Sequence, residues 1–144
     1  MSSIFERGSL PVLEALVHFT AARHRAIALN IANADTPGYR AVDAPVEDFR
    51  RALARALLEQ RSSPAGIFAL KPRGGIRPVE GGFLEVRLGP AGGAGIPRPD
   101  GNTVDLEVEM GRLVRNGMLH NLSAALLAHQ FGQLREAIGE RVLS

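Results

Sequence analysis

The chain has 144 residues, 45% of them hydrophobic and 22% charged, which is enough for one domain with a modest core. It contains no cysteine, so disulfides, thiolate zinc sites and cysteine nucleophiles are excluded, and no apolar run reaches the about 20 residues that a membrane-spanning helix needs. Lys71 is the single lysine among 17 basic residues, the arginines are scattered, and the net charge is +2, so we expect no nucleic-acid partner. Glu6 and Glu14 interrupt the first apolar residues, and we expect no cleaved secretory signal.

The N-terminal part of the chain has the apolar pattern of a long helix. Residues spaced alternately three and four apart form a heptad seam, and Pro11 is favourable in a first helical turn. Because Pro37 excludes helical geometry at the residue before it, the pattern predicts a helix from about Pro11 to about Asn33. The predicted seam consists of Leu10, Leu13, Val17, Thr20, His24, Ile27 and Ile31.

The middle of the chain has a different composition. A short third helix is predicted over 45–60, with Phe49 and Leu53 on its apolar face. Residues 62–103 then hold ten of the 16 glycines and six of the nine prolines, which disfavours both helices and strand interiors. Only residues 82–88 alternate well enough to predict a short strand, so the centre is expected to be mostly loop.

The C-terminal part repeats the heptad seam over a greater length. Asn102 is expected to cap this helix, which would be about 50 Å long at about 1.5 Å per residue. A helix of that length cannot bury its seam in a monomer with one other comparable helix, so we expect the terminal helices to become fully ordered on assembly with other chains. The predicted seam consists of Leu106, Met110, Leu113, Gly117, His120, Ala124, Leu127, Phe131, Leu134 and Ile138.

These patterns together predict a mainly α fold. Its long N- and C-terminal helices pack as a coiled-coil-like pair, accompanied by a short third helix and a Gly/Pro-rich central loop with a short β-strand. The expected divisions are 1–33 for the N-terminal helix, 34–61 for a turn and the short helix, 62–101 for the variable loop and 102–144 for the C-terminal helix.

The sequence offers little for catalysis or metal binding. His18 and His24 are six residues apart, and His120 and His129 are nine apart, so neither pair shares a helix face. The glycine run at 89–95 lacks the GxxxxGK[ST] pattern of a phosphate loop. We therefore expect no catalytic residue, no cofactor, no metal site and no small-molecule substrate, and hence no enzyme.

One contiguous motif follows the N-terminal helix. Pro37 and Gly38 suit the second and third positions of a type II turn over residues 36–39. Asn33 or Asp35 can end the helix through side chain–backbone hydrogen bonds, and a buried amide at Asn30 can fix helix register. Tyr39 can anchor the departing chain. The motif reads Asn30, Ile31, Ala32, Asn33, Ala34, Asp35, Thr36, Pro37, Gly38 and Tyr39.

This ten-residue motif resembles the signature of the bacterial flagellar rod and hook axial proteins, near the end of their N-terminal helix. Two further segments, 48–53 and 100–110, resemble the proximal rod members of that family. The resemblance covers about residues 10–60 and 98–140. In the second segment it is carried by Asp100, Gly101, Asn102, Val104 and Asp105.

The resemblance implies a structural subunit of the proximal rod of the flagellar basal body, in the periplasm. Such subunits assemble helically through their terminal helices and transmit torque from the MS ring to the distal rod and hook. The implied partners are other copies of the chain, FlgC-like rod subunits, a FliE-type MS-ring adaptor and the type III export gate, which the chain would pass without a cleaved signal. Phe49 and Leu53 have the form of a Phe-x-x-x-hydrophobic export element, although the core face of the short helix is the alternative explanation for them.

Two alternatives stay open at this point. A FlgC-like rod subunit shares the turn motif, although the 100–105 run and the chain length fit it less well. A coiled-coil adaptor or regulatory protein would use the central loop as its recognition surface. Neighbouring rod and hook genes would favour the structural subunit over the adaptor.

Overall fold

The computed structural model describes residues 3–93 and 96–142, so residues 94 and 95 of the predicted variable loop, residues 1 and 2 of the predicted N-terminal helix and residues 143 and 144 of the predicted C-terminal helix lie outside it. Within this part the chain forms three α-helices and four short strands. In chain order they are α1 (Ser3–Ala32), β1 (Val42–Asp43), α2 (Val46–Ser62), β2 (Ile76–Pro78), β3 (Leu84–Val86), β4 (Gly89–Pro90) and α3 (Leu106–Val142). None of the described helices combines the length and the apolarity that crossing a membrane requires.

The helix α1 is the central layer of the fold. One side of it packs along α3, and the other side packs on α2 and the β2–β3 hairpin. The core on the hairpin side contains Phe19, Phe49 and Ile76, and the rings of Phe19 and Phe49 stack 4.1 Å apart. The long N- and C-terminal helices therefore pack together, as the sequence predicts.

Both small sheets lie in or border the region predicted as loop. Strands β2 and β3 pair antiparallel with Ile76 opposite Val86, and β1 pairs antiparallel with β4. The predicted strand over 82–88 is shorter than expected, because Gly81 and Gly82 adopt positive φ angles in the turn that precedes β3. Ile76, from β2, is almost fully buried, so the glycine-rich segment contributes to the core.

The helix ends correct two predictions. The helix α1 begins already at Ser3, so Pro11 lies inside it and not in its first turn. The helix α3 begins at Leu106, and Asn102 does not cap it. Asp105 does so, because its Oδ1 accepts the Val108 N–H at 3.1 Å.

The face that α3 turns toward α1 also differs from the predicted seam. Glu109, Asn116 and Ser123 are buried there, with Leu113 and Leu127 half-buried beside them. The buried face is thus displaced by one residue from most of the predicted seam, because polar side chains of α3 find hydrogen-bond partners on α1. Predicted seam residues that remain exposed are Leu106, Met110, Phe131, Leu134 and Ile138. On α1, Leu13 and Ile27 are buried, and Val17 and Ile31 are half-buried.

Candidate functional site

The turn after α1 has the geometry that its sequence predicts. The Tyr39 N–H donates to the Thr36 carbonyl at 3.2 Å, and Gly38 has a φ of +73°. Asn33 ends the helix, since its Nδ2 donates to the Leu29 carbonyl at 2.9 Å, whereas the Asp35 side chain is fully exposed. The turn therefore leads the chain directly away from the end of α1.

Asn102 closes the end of α1 from the far part of the chain. Its side chain is fully buried, and its Nδ2 donates to the carbonyls of Asn33, Ala34 and Thr36 at 2.9, 3.1 and 2.8 Å. These carbonyls belong to the turn that follows the last helical residue, Ala32, and each also accepts a hydrogen bond from a second donor. The Asn102 Oδ1 accepts the Val104 N–H at 2.7 Å. We call this contact between residues 100–103 and residues 33–39 the clasp.

Backbone hydrogen bonds complete the clasp. The Gly38 N–H donates to the Asp100 carbonyl at 2.9 Å, and the Thr103 N–H donates to the Tyr39 carbonyl at 3.0 Å. Gly101 has a φ of +80°, and a Cβ at this position would lie 3.5 Å from the Gly38 Cα. The two motifs that the sequence singles out separately are thus halves of one structural unit.

A buried polar network lies beneath the turn. Asn30 is fully buried, and its Nδ2 donates to the Val42 carbonyl at 2.7 Å and to Glu109 Oε2 at 3.1 Å. Its Oδ1 accepts the Val42 N–H at 2.9 Å and the Tyr39 hydroxyl at 3.1 Å. Glu109 Oε1 accepts Arg112 Nη1 at 2.7 Å, and Arg112 Nη2 donates to the Gly92 carbonyl at 2.8 Å. This Asn30–Glu109 network ties α1, the turn, β1, α3 and the central segment together.

Polar contacts recur along the α1–α3 interface and fix its register. Because buried polar pairs match in one alignment of two helices, a slipped alignment would leave them without partners. In the contacts between them, residue numbers rise along α1 while they fall along α3, so the two helices are antiparallel. The contacts are Ser9–Gln130 at 2.6 Å, Thr20 Oγ1–His120 Nδ1 at 2.8 Å, Asn116 Nδ2–Thr20 carbonyl at 2.8 Å, and Asn30–Glu109.

The described residues contain no group of three or more histidine and acidic side chains placed to hold a metal ion. The fold does bring together two histidines that the sequence analysis compared only within one helix at a time. His24 of α1 and His120 of α3 line one cleft, whose wall includes Gly117. His24 and His120 lie near each other because α1 and α3 pack together, and the spacing of histidines within one helix does not predict it.

Sequence similarity to a known protein shows the family of the chain. No protein-family model matches it. The flagellar basal body rod protein FlgB of Borrelia hermsii is 31% identical to it over 134 residues, which cover 90% of this chain and 93% of the relative. The chain belongs to the FlgB family. Because the similarity spans nearly the whole length of both proteins, membership does not depend on the turn motif alone.

In this FlgB-family chain most of the predicted motif residues meet in the clasp and in the network below it. Asn30 and Tyr39 belong to the network, Asn33 and Thr36 to the clasp, and Val104 packs with Ala41 and Ala91 in a small apolar cluster. Ala32, Asp35 and Pro37 are exposed, and Ile31 is half-buried. Glu109 and Arg112 were not among the predicted site residues, although an acidic and a basic residue three positions apart on a helix are a signal that they can pair.

The two residues of the predicted export element lie in the core of the folded chain. Phe49 is buried against Phe19, and Leu53 packs on the same apolar cluster. The core function that the sequence analysis named as the alternative therefore accounts for the positions of both side chains. A function in export stays a prediction.

Tyr39 should report on the network by titration. Burial raises the pKa of its hydroxyl above the ordinary value of 10.0, and the nearby Glu109 carboxylate raises it further. Because the folded chain holds this proton more tightly than the unfolded chain, the stabilisation is complete below pH 10 and is lost as the pH rises through the folded pKa. Tyr39 is the single tyrosine and the chain has no tryptophan, so absorbance at 295 nm follows this group alone.

The matched control for that titration is Glu109→Gln, which removes the neighbouring charge and keeps the shape of the side chain. We expect a titration midpoint above 10 for the folded chain, a smaller elevation in the variant, and an ordinary midpoint in urea. Equal midpoints in buffer and in urea would contradict the half-buried position of Tyr39 beside Glu109.

Proposed function

We propose that this chain is a structural subunit of the proximal rod of the flagellar basal body, and that it assembles helically through α1 and α3. The observation that carries the proposal is the surface of α3. Large apolar side chains are exposed from Leu106 to Ile138, because the face toward α1 is occupied largely by polar residues. Because the chain belongs to the FlgB family, the assembly in which neighbouring subunits would cover this surface is the basal body rod.

Hydrophobic burial favours assembly over the isolated chain. Each large apolar side chain that neighbouring subunits remove from water contributes about 1.5–3 kcal/mol before the entropy of ordering is subtracted. Exposed apolar surface of this extent is typical of interaction surfaces. Contacts between different faces of identical subunits, where the rotation between subunits does not close a ring, build the helical array that a rod needs to transmit torque from the MS ring to the distal rod and hook.

The partners follow from the same assignment. We infer that the neighbours are other copies of the chain, FlgC-like rod subunits and a FliE-type adaptor at the MS ring. The chain would reach the periplasmic rod through the type III export gate. The turn at residues 36–39 would direct the chain out of the inner helical layer toward these neighbours, and the terminal helices would gain order as the rod grows.

Deletion of the gene tests the function directly. We expect motility to be lost, and electron microscopy of isolated basal bodies to show an intact MS ring without a rod. Complementation with the wild-type gene is the control. A normal rod in the deletion strain would contradict the proposal and would favour an adaptor or regulatory function.

A substitution in the turn tests the assembly function of the clasp. Gly38→Val forces a β-branched residue to adopt a φ of +73°, which costs about 1–2 kcal/mol, although a Cβ there would meet no atom within 4 Å. We expect normal expression but strongly reduced rod assembly and swimming. Gly38→Asn is the matched control, because asparagine tolerates this conformation, and it should swim nearly normally. Normal rods with Gly38→Val would contradict the function given to the turn.

A further inference from the structure

The layer order places two different apolar surfaces on opposite sides of the molecule. On α3, exposed side chains four residues apart form a row on the side that faces away from α1, and we call this row the α3 ridge. Rows with this spacing are the ridges that helices insert into grooves. The α3 ridge consists of Met110, Val114, Met118, Leu122 and Leu126.

The second surface is a groove between α1 and the β2–β3 hairpin. Its volume is about 140 Å³, which suits a single large side chain. We call it the hairpin groove. No described residue of α3 lines the groove, so the ridge and the groove of one molecule do not contact each other. The groove is lined by Pro11, Glu14, Phe68, Val79, Phe83 and Leu84.

Each surface also carries one charged group without a partner. Among residues 3–93 and 96–142, neither Glu14 nor Arg115 forms a hydrogen bond or an ion pair. Glu14 is half-buried in the wall of the hairpin groove. Arg115 is exposed on α3, one turn before Met118, which at 68% is the most exposed side chain of the ridge. The two charges are opposite in sign. Glu14 lies beside the hairpin groove, and Arg115 lies beside the α3 ridge.

We propose that the α3 ridge of one copy of this chain docks in the hairpin groove of a second copy, with Met118 inserted and Arg115 paired to Glu14. Residues three apart on a helix lie about 5–6 Å from each other, so an inserted Met118 brings Arg115 to the mouth of the groove. The contact is heterologous, and each bound copy leaves a free ridge and a free groove for the next copy. This inference rests on the proposed function, since it names a contact by which copies of a rod subunit would join.

Cross-linking between two purified full-length chains tests the contact in solution. The natural chain has no cysteine, so every thiol can be placed deliberately. One chain carries Phe83→Cys in the groove wall, the other carries Leu122→Cys on the ridge, and a short bismaleimide joins them. The matched control replaces Phe83→Cys by Leu58→Cys, an equally exposed position on α2 outside the groove. We expect the Phe83/Leu122 pair to give at least about tenfold more mixed dimer than the control pair.

Charge reversal provides the second arm of the test. Glu14→Arg in the groove chain, or Arg115→Glu in the ridge chain, should each lower the yield of mixed dimer by about fivefold, the upper range for a surface ion pair. Combining both reversals, one in each chain, should restore it. Glu14→Gln keeps the side-chain shape and should also lower the yield, and far-UV circular dichroism checks that each variant retains its helices.

Three outcomes would overturn the inference. They are equal yields for the groove and control positions, no recovery when both charges are reversed, and a predominance of Leu122→Cys homodimers, which would indicate a two-fold contact between ridges. Because purified chains are used, failure here is distinguishable from failure of the proposed function. A deletion strain without a rod, combined with no cross-linking, would discard only this contact.

Discussion

Asn102→Asp should destabilise the chain by at least about 3 kcal/mol. The two side chains have nearly the same shape, but a carboxylate cannot donate to the three carbonyls of the turn after α1 that now accept from the Asn102 amide. Asn102 is fully buried, so the substitution places a buried charge against these carbonyl oxygens, and this costs more than the about 1–3 kcal/mol of an unpaired neutral polar group. Urea unfolding followed by far-UV circular dichroism measures the loss.

The same chemical change at an exposed position is the control for Asn102. Asn121 lies on the exposed surface of α3, and Asn121→Asp should change the free energy of unfolding by less than about 0.5 kcal/mol. We expect rods to be absent with Asn102→Asp and present with Asn121→Asp. Similar stabilities of the two variants would show that the clasp does not hold the end of α1.

Arg112→Met should have a comparable effect through the Asn30–Glu109 network. Glu109 is almost completely buried, and the substitution removes the cation that its Oε1 accepts from at 2.7 Å. Removing one partner of a buried ion pair costs about 3–5 kcal/mol, because the remaining charge is left uncompensated. The Gly92 carbonyl loses its donor as well. The free energy of unfolding is again the quantity to measure.

A double variant distinguishes the loss of the Arg112 side chain itself from the cost of leaving the Glu109 carboxylate buried without a cation. Glu109→Gln combined with Arg112→Met leaves a neutral amide that can still accept from Asn30, so at least half of the loss should be recovered. Arg135→Met changes an exposed arginine of the same helix and should be nearly neutral. If the double variant is no more stable than Arg112→Met alone, the loss comes from packing and not from the buried carboxylate.

These two predictions share a structural reason. The clasp and the Asn30–Glu109 network both join the segment just after α1 to the segment just before and at the start of α3. A subunit whose long helices both join an assembly needs a definite angle and register between them. Satisfied buried polar groups define such a geometry more narrowly than apolar contacts, because a displaced donor or acceptor has no alternative partner.

Local chemistry made part of this fold predictable. The three helices, the break before Pro37 and the turn at residues 36–39 depend on apolar spacing, on the ring of proline and on the tolerance of glycine for positive φ, and all of these act within a few residues. The short helix was predicted over 45–60 and lies at Val46–Ser62. The two motifs that meet in the clasp were also recognisable from the sequence.

Other features depend on contacts between distant parts of the chain. Apolar spacing alone predicted that Met110 and Phe131 face α1, but the hydrogen bonds of Glu109 and Asn116 to α1 turn α3 by about one residue and leave those apolar side chains outside. Asn102 looked like a cap of its own helix, but it binds the turn that follows a helix ending 70 positions earlier. The sequence by itself therefore determined which segments are helical and where the chain turns. The tertiary structure alone decided which face of α3 is buried and that the two motifs form one site, because hydrogen-bond partners far apart in the chain are set by how the layers pack.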